Sequence, residues 1–161
     1  MNHLRPLLLA ASLLLSAAQS TPALAQNPDA DPTIAFEADD PVMDAAIAEA
    51  QRTLPEFLAV LADPPAGAGE FVIKFPLGGW EHIWVDNLRV RGDRILGNLA
   101  NAPEQEGHRL GDDVSVPLAE VTDWAYRAPD GVMQGHRTTR VLLQQVPEEA
   151  AAAVLADFGW D

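Results

Sequence analysis

Three histidines lie beyond the N-terminal leader, His82, His108 and His136, and imidazole is the side chain best suited to proton transfer near neutral pH or to holding a metal. None of them has a second ligand at helical metal spacing, and the chain carries no H-E-x-x-H segment. His82 stands two residues before Trp84, so both fall on one face of an extended strand; His136 from a later segment could complete a polar pocket there. The plainer alternative is a half-exposed structural histidine. Nucleophilic catalysis finds no footing, because cysteine is absent, no G-x-S-x-G elbow occurs and Ser115 sits in an ordinary strand pattern. The paired carboxylates Asp112 and Asp113 would point to opposite faces of a strand, which suits a turn better than an acid and base couple. Phosphate-cradling glycines are missing as well, since Gly67 and Gly69 precede neither Lys-Ser/Thr nor a helix.

The strongest grouping is Asp123, Trp124, Tyr126 and Arg140, with Trp84 as a neighbour. Large rings desolvate cheaply and an arginine fork specifies anions, so such a set can make a binding surface. The competing reading puts Trp124 and Trp84 in the core and joins Asp123 to Arg140 as a structural ion pair. No metal site and no cofactor follows from these residues.

The elements that must position them can be read from periodicity and punctuation. Asp40-Pro41 is an N-cap followed by Pro at the first helical position. Met43, Ile47, Ala50, Leu54, Phe57, Leu58 and Leu61 then recur at steps of mostly three and four, on one helix face. Pro55 interrupts that helix, and the capping-box spacing of Thr53 and Glu56 predicts a kink or a restart at Thr53. Phe71 to Phe75 alternates as a strand, with Phe71, Ile73 and Phe75 on one side and Lys74 on the other. Gly78-Gly79 and Gly92-Asp93 punctuate two further strands, Glu81 to Val90 and Ile95 to Ala100, as an antiparallel meander. Strands are expected around Asp113 to Pro117 and Val121 to Arg127, and a last strand or pair of strands over Val132 to Leu143, bent at Gly135. Pro147, Glu148 and Glu149 open a short helix through Phe158.

Helix, five or six short strands, then helix spells an α+β fold: a kinked N-terminal helix on a curved antiparallel sheet, with a short C-terminal helix. Periodicity leaves open whether the sheet curls into a partly open small barrel.

Several of these segments together resemble a bacterial family, domain of unknown function 2314, the YegJ-like proteins. They are Met43 to Ile47, Thr53 to Phe57, Glu81 to Val85, Leu110 to Val114, Val121 to Tyr126, and Gly135 with Thr138 to Leu142. The resemblance covers about residues 41 to 143. It implies a compact α+β domain with no established activity. The family's Asp-Trp-x-Tyr segment, its Gly before the last strand and its Thr-x-Arg ending fall on Asp123, Trp124, Tyr126, Gly135, Thr138 and Arg140. No catalytic role comes with them. His136 and Arg137 depart from the neutral or aromatic residues that the resemblance leads one to expect.

The ends and the composition bound the setting. Arg5, the apolar stretch Leu7 to Leu15, Pro22 and Ala23-Leu24-Ala25 have the layout of an export signal, with cleavage expected between Ala25 and Gln26. The apolar run is well short of the roughly 20 residues that span a bilayer, so no membrane span is expected after cleavage. Residues 26–40 read as an acidic Pro/Ala-rich spacer, and 41–161 as a single domain. Asp29 and Asp31 have the spacing that opens a calcium loop, but Ile34 occupies the glycine position and the closing Glu is missing. With 24 acidic residues against ten basic ones, for a net charge of -14, the surface repels phosphate backbones, which argues against nucleic acid.

The leading expectation is a periplasmic or secreted, non-catalytic module binding a protein, a cell-wall fragment or a small molecule. A small hydrolase-like or metal-assisted enzyme using His82, Asp123 and His136 is the second reading. An exported inhibitor of a basic toxin or hydrolase is the third.

Overall fold

The computed structural model describes residues 40–160; the expected export signal, most of the expected spacer and the Asp29–Asp31 spacing fall outside the described residues. Helix α1 spans Pro41–Ala62, and the Asp40 carboxylate caps it by accepting the amides of Val42 at 2.8 Å and Met43 at 3.3 Å. Ala50, Leu54 and Phe57 form its buried stripe, flanked by Leu58 and Leu61. The helix runs through Pro55 and does not restart at Thr53. The Thr53 hydroxyl, buried in mid-helix, donates back to the Glu49 carbonyl at 2.7 Å instead of capping a new start.

Six strands follow: β1 (Gly69–Leu77), β2 (Glu81–Arg91), β3 (Arg94–Leu99), β4 (Asp113–Pro117), β5 (Asp123–Arg127) and β6 (Met133–Gly135). They form one open antiparallel sheet in the order β4-β3-β2-β1-β5-β6, so β1 is central and β4 and β6 are its edges. Ile73 pairs with Val85 on one side and Trp124 on the other, and these residues turn the same face toward α1. There Phe57 stacks on Trp124 at 5.2 Å between ring centroids, and Phe71 stacks on Tyr126 at 5.3 Å. Ile83, Ile95, Leu99, Val116 and Val121 complete this core, all essentially inaccessible.

The expectation of a final strand over Val132 to Leu143 is corrected: only Met133–Gly135 is extended, and Arg137–Leu143 is a helix, α2. Two consecutive left-handed residues make the turn. Gly135 has φ +79°, and a Cβ there would lie 2.0 Å from the Trp124 carbonyl oxygen. His136 follows at φ 51°, and its amide donates to that same carbonyl at 2.9 Å. Alternation alone does not reveal such a reversal, which is why the segment reads as strand in the sequence. Helix α2 packs against α1 and β5. The last helix, α3 (Glu148–Phe158), buries none of its residues and is held by what lies at its end: Phe158, Gly159 in the left-handed C-cap, and Trp160, whose indole N–H donates to the Met133 carbonyl at 2.7 Å. Among the described residues no helix is long and apolar enough to cross a membrane.

Candidate functional site

The sheet face away from the α1 core carries Lys74 at its centre. Antiparallel pairing sets Lys74 opposite Trp84 on β2 and opposite Asp123 on β5, so the three side chains share one face. Lys74 is only 6 % exposed and Asp123 is fully buried, a situation that charged groups tolerate only with polar partners. Both find them in α2. The Lys74 ammonium donates to the Thr138 hydroxyl at 3.0 Å, and that hydroxyl donates to Asp123 Oδ2 at 2.6 Å. The ammonium also lies 4.5 Å from the centroid of the Trp84 ring. Burial pulls the Lys74 amine down to about 8, against the opposing pull of Asp123.

Asp123 receives three further hydrogen bonds, from the amides of Trp124 (2.8 Å), Arg137 (3.1 Å) and Thr138 (2.8 Å). The last two are the first amides of α2. His136, the residue before that helix, makes no side-chain cap because its backbone is left-handed. A carboxylate from β5 therefore does the capping that the preceding residue cannot.

His136 is buried beside this relay. Its ring lies 4.7 Å from Trp84, edge-on, and 4.6 Å from Phe158, stacked, while Nδ1 is 3.1 Å from the Thr139 hydroxyl. Burial, followed by the positive charges of Lys74, Arg140 and Arg127, pushes the imidazole down to about 3, so it is neutral at physiological pH. His82 is more exposed. Its Nδ1 lies 3.0 Å from the Thr122 hydroxyl, and burial and then Lys74 shift it below the ordinary histidine value.

His82, Asp123 and His136 thus each engage a different threonine, Thr122, Thr138 and Thr139, and no hydrogen bond joins any two of them. The aromatic and charged grouping read from the sequence divides between the two sheet faces. Trp124 and Tyr126 belong to the α1 side, where the Trp124 indole donates to the Ala50 carbonyl at 3.0 Å and Tyr126 stacks on Phe71. Trp84 and Asp123 belong to the Lys74 side. The expected ion pair between Asp123 and Arg140 does not form, because the carboxylate already holds four closer donors. The Arg140 guanidinium instead lies 3.4 Å above the Trp160 ring. One turn earlier, Arg137 lies 4.5 Å above the Trp124 ring.

Neither Lys74 nor Thr138 stands out in the sequence as a buried polar anchor. The usable signal for Lys74 was its place between Val72 and Pro76, apolar neighbours of the same strand parity, which mark its face as covered. Thr138 acts through a helix that the pattern did not disclose. Glu81 is another buried acid, accepting the amides of Glu104 (2.7 Å) and Gln105 (3.0 Å) and so tying the long loop after β3 to the start of β2. Among the described residues no group of three or more His, Cys, Asp or Glu is placed to hold a metal.

A stretch of 82 residues, half of this chain, is 32 % identical to a protein named "Putative ankyrin repeat protein" from Neisseria meningitidis serogroup B, of which it spans about a third (32 %). No solved structure matches the chain. The model of a family described as an uncharacterised protein conserved in bacteria, domain of unknown function 2314, matches residues 40–161, which extends past the 41–143 resemblance to take in α3, and the chain belongs to that family.

Proposed function

We propose that this chain is an exported, non-catalytic binding module. The observation that carries the reading is the satisfied state of the polar side chains best able to do chemistry. The Asp123 carboxylate holds four donors, Lys74 is bonded to Thr138, and His136 is packed between rings and bonded to Thr139. A general base must reach its substrate's proton, whereas Asp123, Lys74 and His136 are buried with their polar atoms engaged by Thr138 and Thr139. They serve to hold α2 and the C-terminal segment against the sheet. Around them His82 and Arg140 are exposed, and Trp84 and Trp160 are half-buried. The leader residues Arg5 to Ala25 support export. The similarity to one part of a longer chain named for ankyrin repeats fits a module used alongside other domains.

The test is a melting-temperature screen of the mature domain against small ligands, with each ligand examined afterwards by NMR. A compound that raises the melting temperature and is recovered chemically unchanged supports the reading. A compound consumed with turnover, at a rate that collapses in His82→Ala or His136→Asn, overturns it.

A further inference from the structure

Of the arginines among the described residues, Arg52 meets Glu49 at 2.7 Å and Arg127 meets Glu70 at 2.8 Å, while Arg89, Arg91, Arg94, Arg109 and Arg140 form no ion pair. Arg137 and Arg140 are set apart by the indole rings beneath them, Trp124 and Trp160. Arg140 is exposed, makes no side-chain hydrogen bond or ion pair with any described residue, and is laid flat on Trp160. Arg137 reaches only to 4.0 Å from Glu49, a carboxylate already held by Arg52, and its Nη1 is buried without an acceptor. The two stand three residues apart in α2, so they rise from the same helix face, and like charges at that spacing repel. That repulsion lowers the Arg140 pKa, after burial, which makes the larger contribution.

A protein that merely needed solubility would gain nothing from this placement. Stacking on an indole immobilises a guanidinium while leaving its in-plane N–H edge open, which is the geometry that takes an oxyanion by two parallel hydrogen bonds. The carboxylate nearest in charge, Asp123, is sealed beneath and cannot fold back onto Arg140, since its oxygens are bonded to α2 amides and to Thr138. We infer that Arg140, held flat by Trp160 and reinforced by the charge of Arg137, is the recognition site for a small oxyanion, a carboxylate or phosphate group on the ligand of this module. The inference rests on the binding-module reading and names its ligand class. The net charge of -14 restricts the class to small anions, because a polyanion would meet the acidic surface around this corner. Arg140 makes the contact and Arg137 supplies field, because the buried Nη1 of Arg137 is out of a ligand's reach.

The experiment follows the arginine Nε–H resonances of the mature domain by NMR at low salt while inorganic phosphate, and in a second series succinate, is added. Saturable shifts at Arg140, with smaller ones at Arg137, are expected, while Arg52, Arg89, Arg91, Arg94, Arg109 and Arg127 stay in place. The tighter of the two anions identifies the group recognised. Arg140→Lys, which keeps the charge but loses the fork, should weaken binding by roughly tenfold while leaving the melting temperature unchanged. Linear shifts spread over all the arginines, or an Arg140→Lys variant that binds as tightly as the parent, would overturn the inference. Turnover in the ligand screen would remove the non-catalytic reading without moving these shifts, so the two failures are distinguishable.

Discussion

Lys74 and Asp123 face each other across β1 and β5 and are joined through the Thr138 hydroxyl, which accepts from the amine and donates to the carboxylate. One hydroxyl from α2 thus links the two buried charged groups of neighbouring strands. The same carboxylate caps α2, so sheet pairing, helix position and charge burial depend on one another. Buried groups so connected are costly to leave half-satisfied and stabilising when complete.

Thr138→Val keeps the shape of the side chain and removes the link. It strands the Lys74 amine and one Asp123 bond in the interior, and the expected loss is roughly 2 to 4 kcal/mol of unfolding free energy, about 1 to 3 for each group left without its partner. Urea unfolding reads it. A variant as stable as the parent would mean that the relay contributes nothing to stability.

The alkaline limb of the stability curve reports Lys74. Its amine titrates near 8 when folded and near 10.5 when unfolded, so the unfolded chain holds the extra proton between those values, and stability rises with pH across that window. The rise is about 3 kcal/mol at most, taking 1.36 kcal/mol per pH unit. Lys74→Met should flatten it, as judged by denaturant midpoints between pH 7.5 and 10.5.

On the acid side the reporter is His136. Folded, it protonates only near pH 3, whereas the unfolded imidazole does so near 6.5, so stability falls as pH drops below 6.5. By pH 5 the loss attributable to this residue is roughly 2 kcal/mol. His136→Asn tolerates the left-handed backbone and cannot titrate there. Its stability should be lower at pH 7 for want of the ring contacts, but should fall less steeply between pH 6.5 and 5. Parallel curves for the two proteins would contradict the assignment.

Trp124→Ala removes a ring that stacks on Phe57, lies under Arg137 and donates to α1. A loss of about 3 to 5 kcal/mol is expected from the cavity left beneath α1. Thermal melting measures it, and an unaltered melting curve would place Trp124 outside the load-carrying core.

What the sequence disclosed were the features governed by local rules. The Asp40 cap, the α1 stripe, the two glycine hairpins and the start of α3 at Pro147 all follow from short-range chemistry, and each stands where that chemistry puts it. Helix α2 did not, because its first amides are capped by a carboxylate from β5, fourteen residues before Arg137. Lys74 was placed on the right side of β1, yet its burial depends on Trp84, Thr138 and a C-terminal segment that period-two alternation cannot bring together. Asp123 and Trp124 fall in one grouping with Tyr126 and Arg140 in the sequence, but adjacent strand residues point to opposite faces, and the two serve different layers of the fold.

Amide hydrogen exchange in Asp123→Ala is the most direct measurement of the central claim, that this carboxylate is a structural fastening for α2 and no part of a catalytic group. The account predicts rapid exchange at Arg140 to Leu143, whose amides are bonded within α2, while the amides paired between β1 and β2 stay protected. Unchanged protection throughout α2 would contradict it.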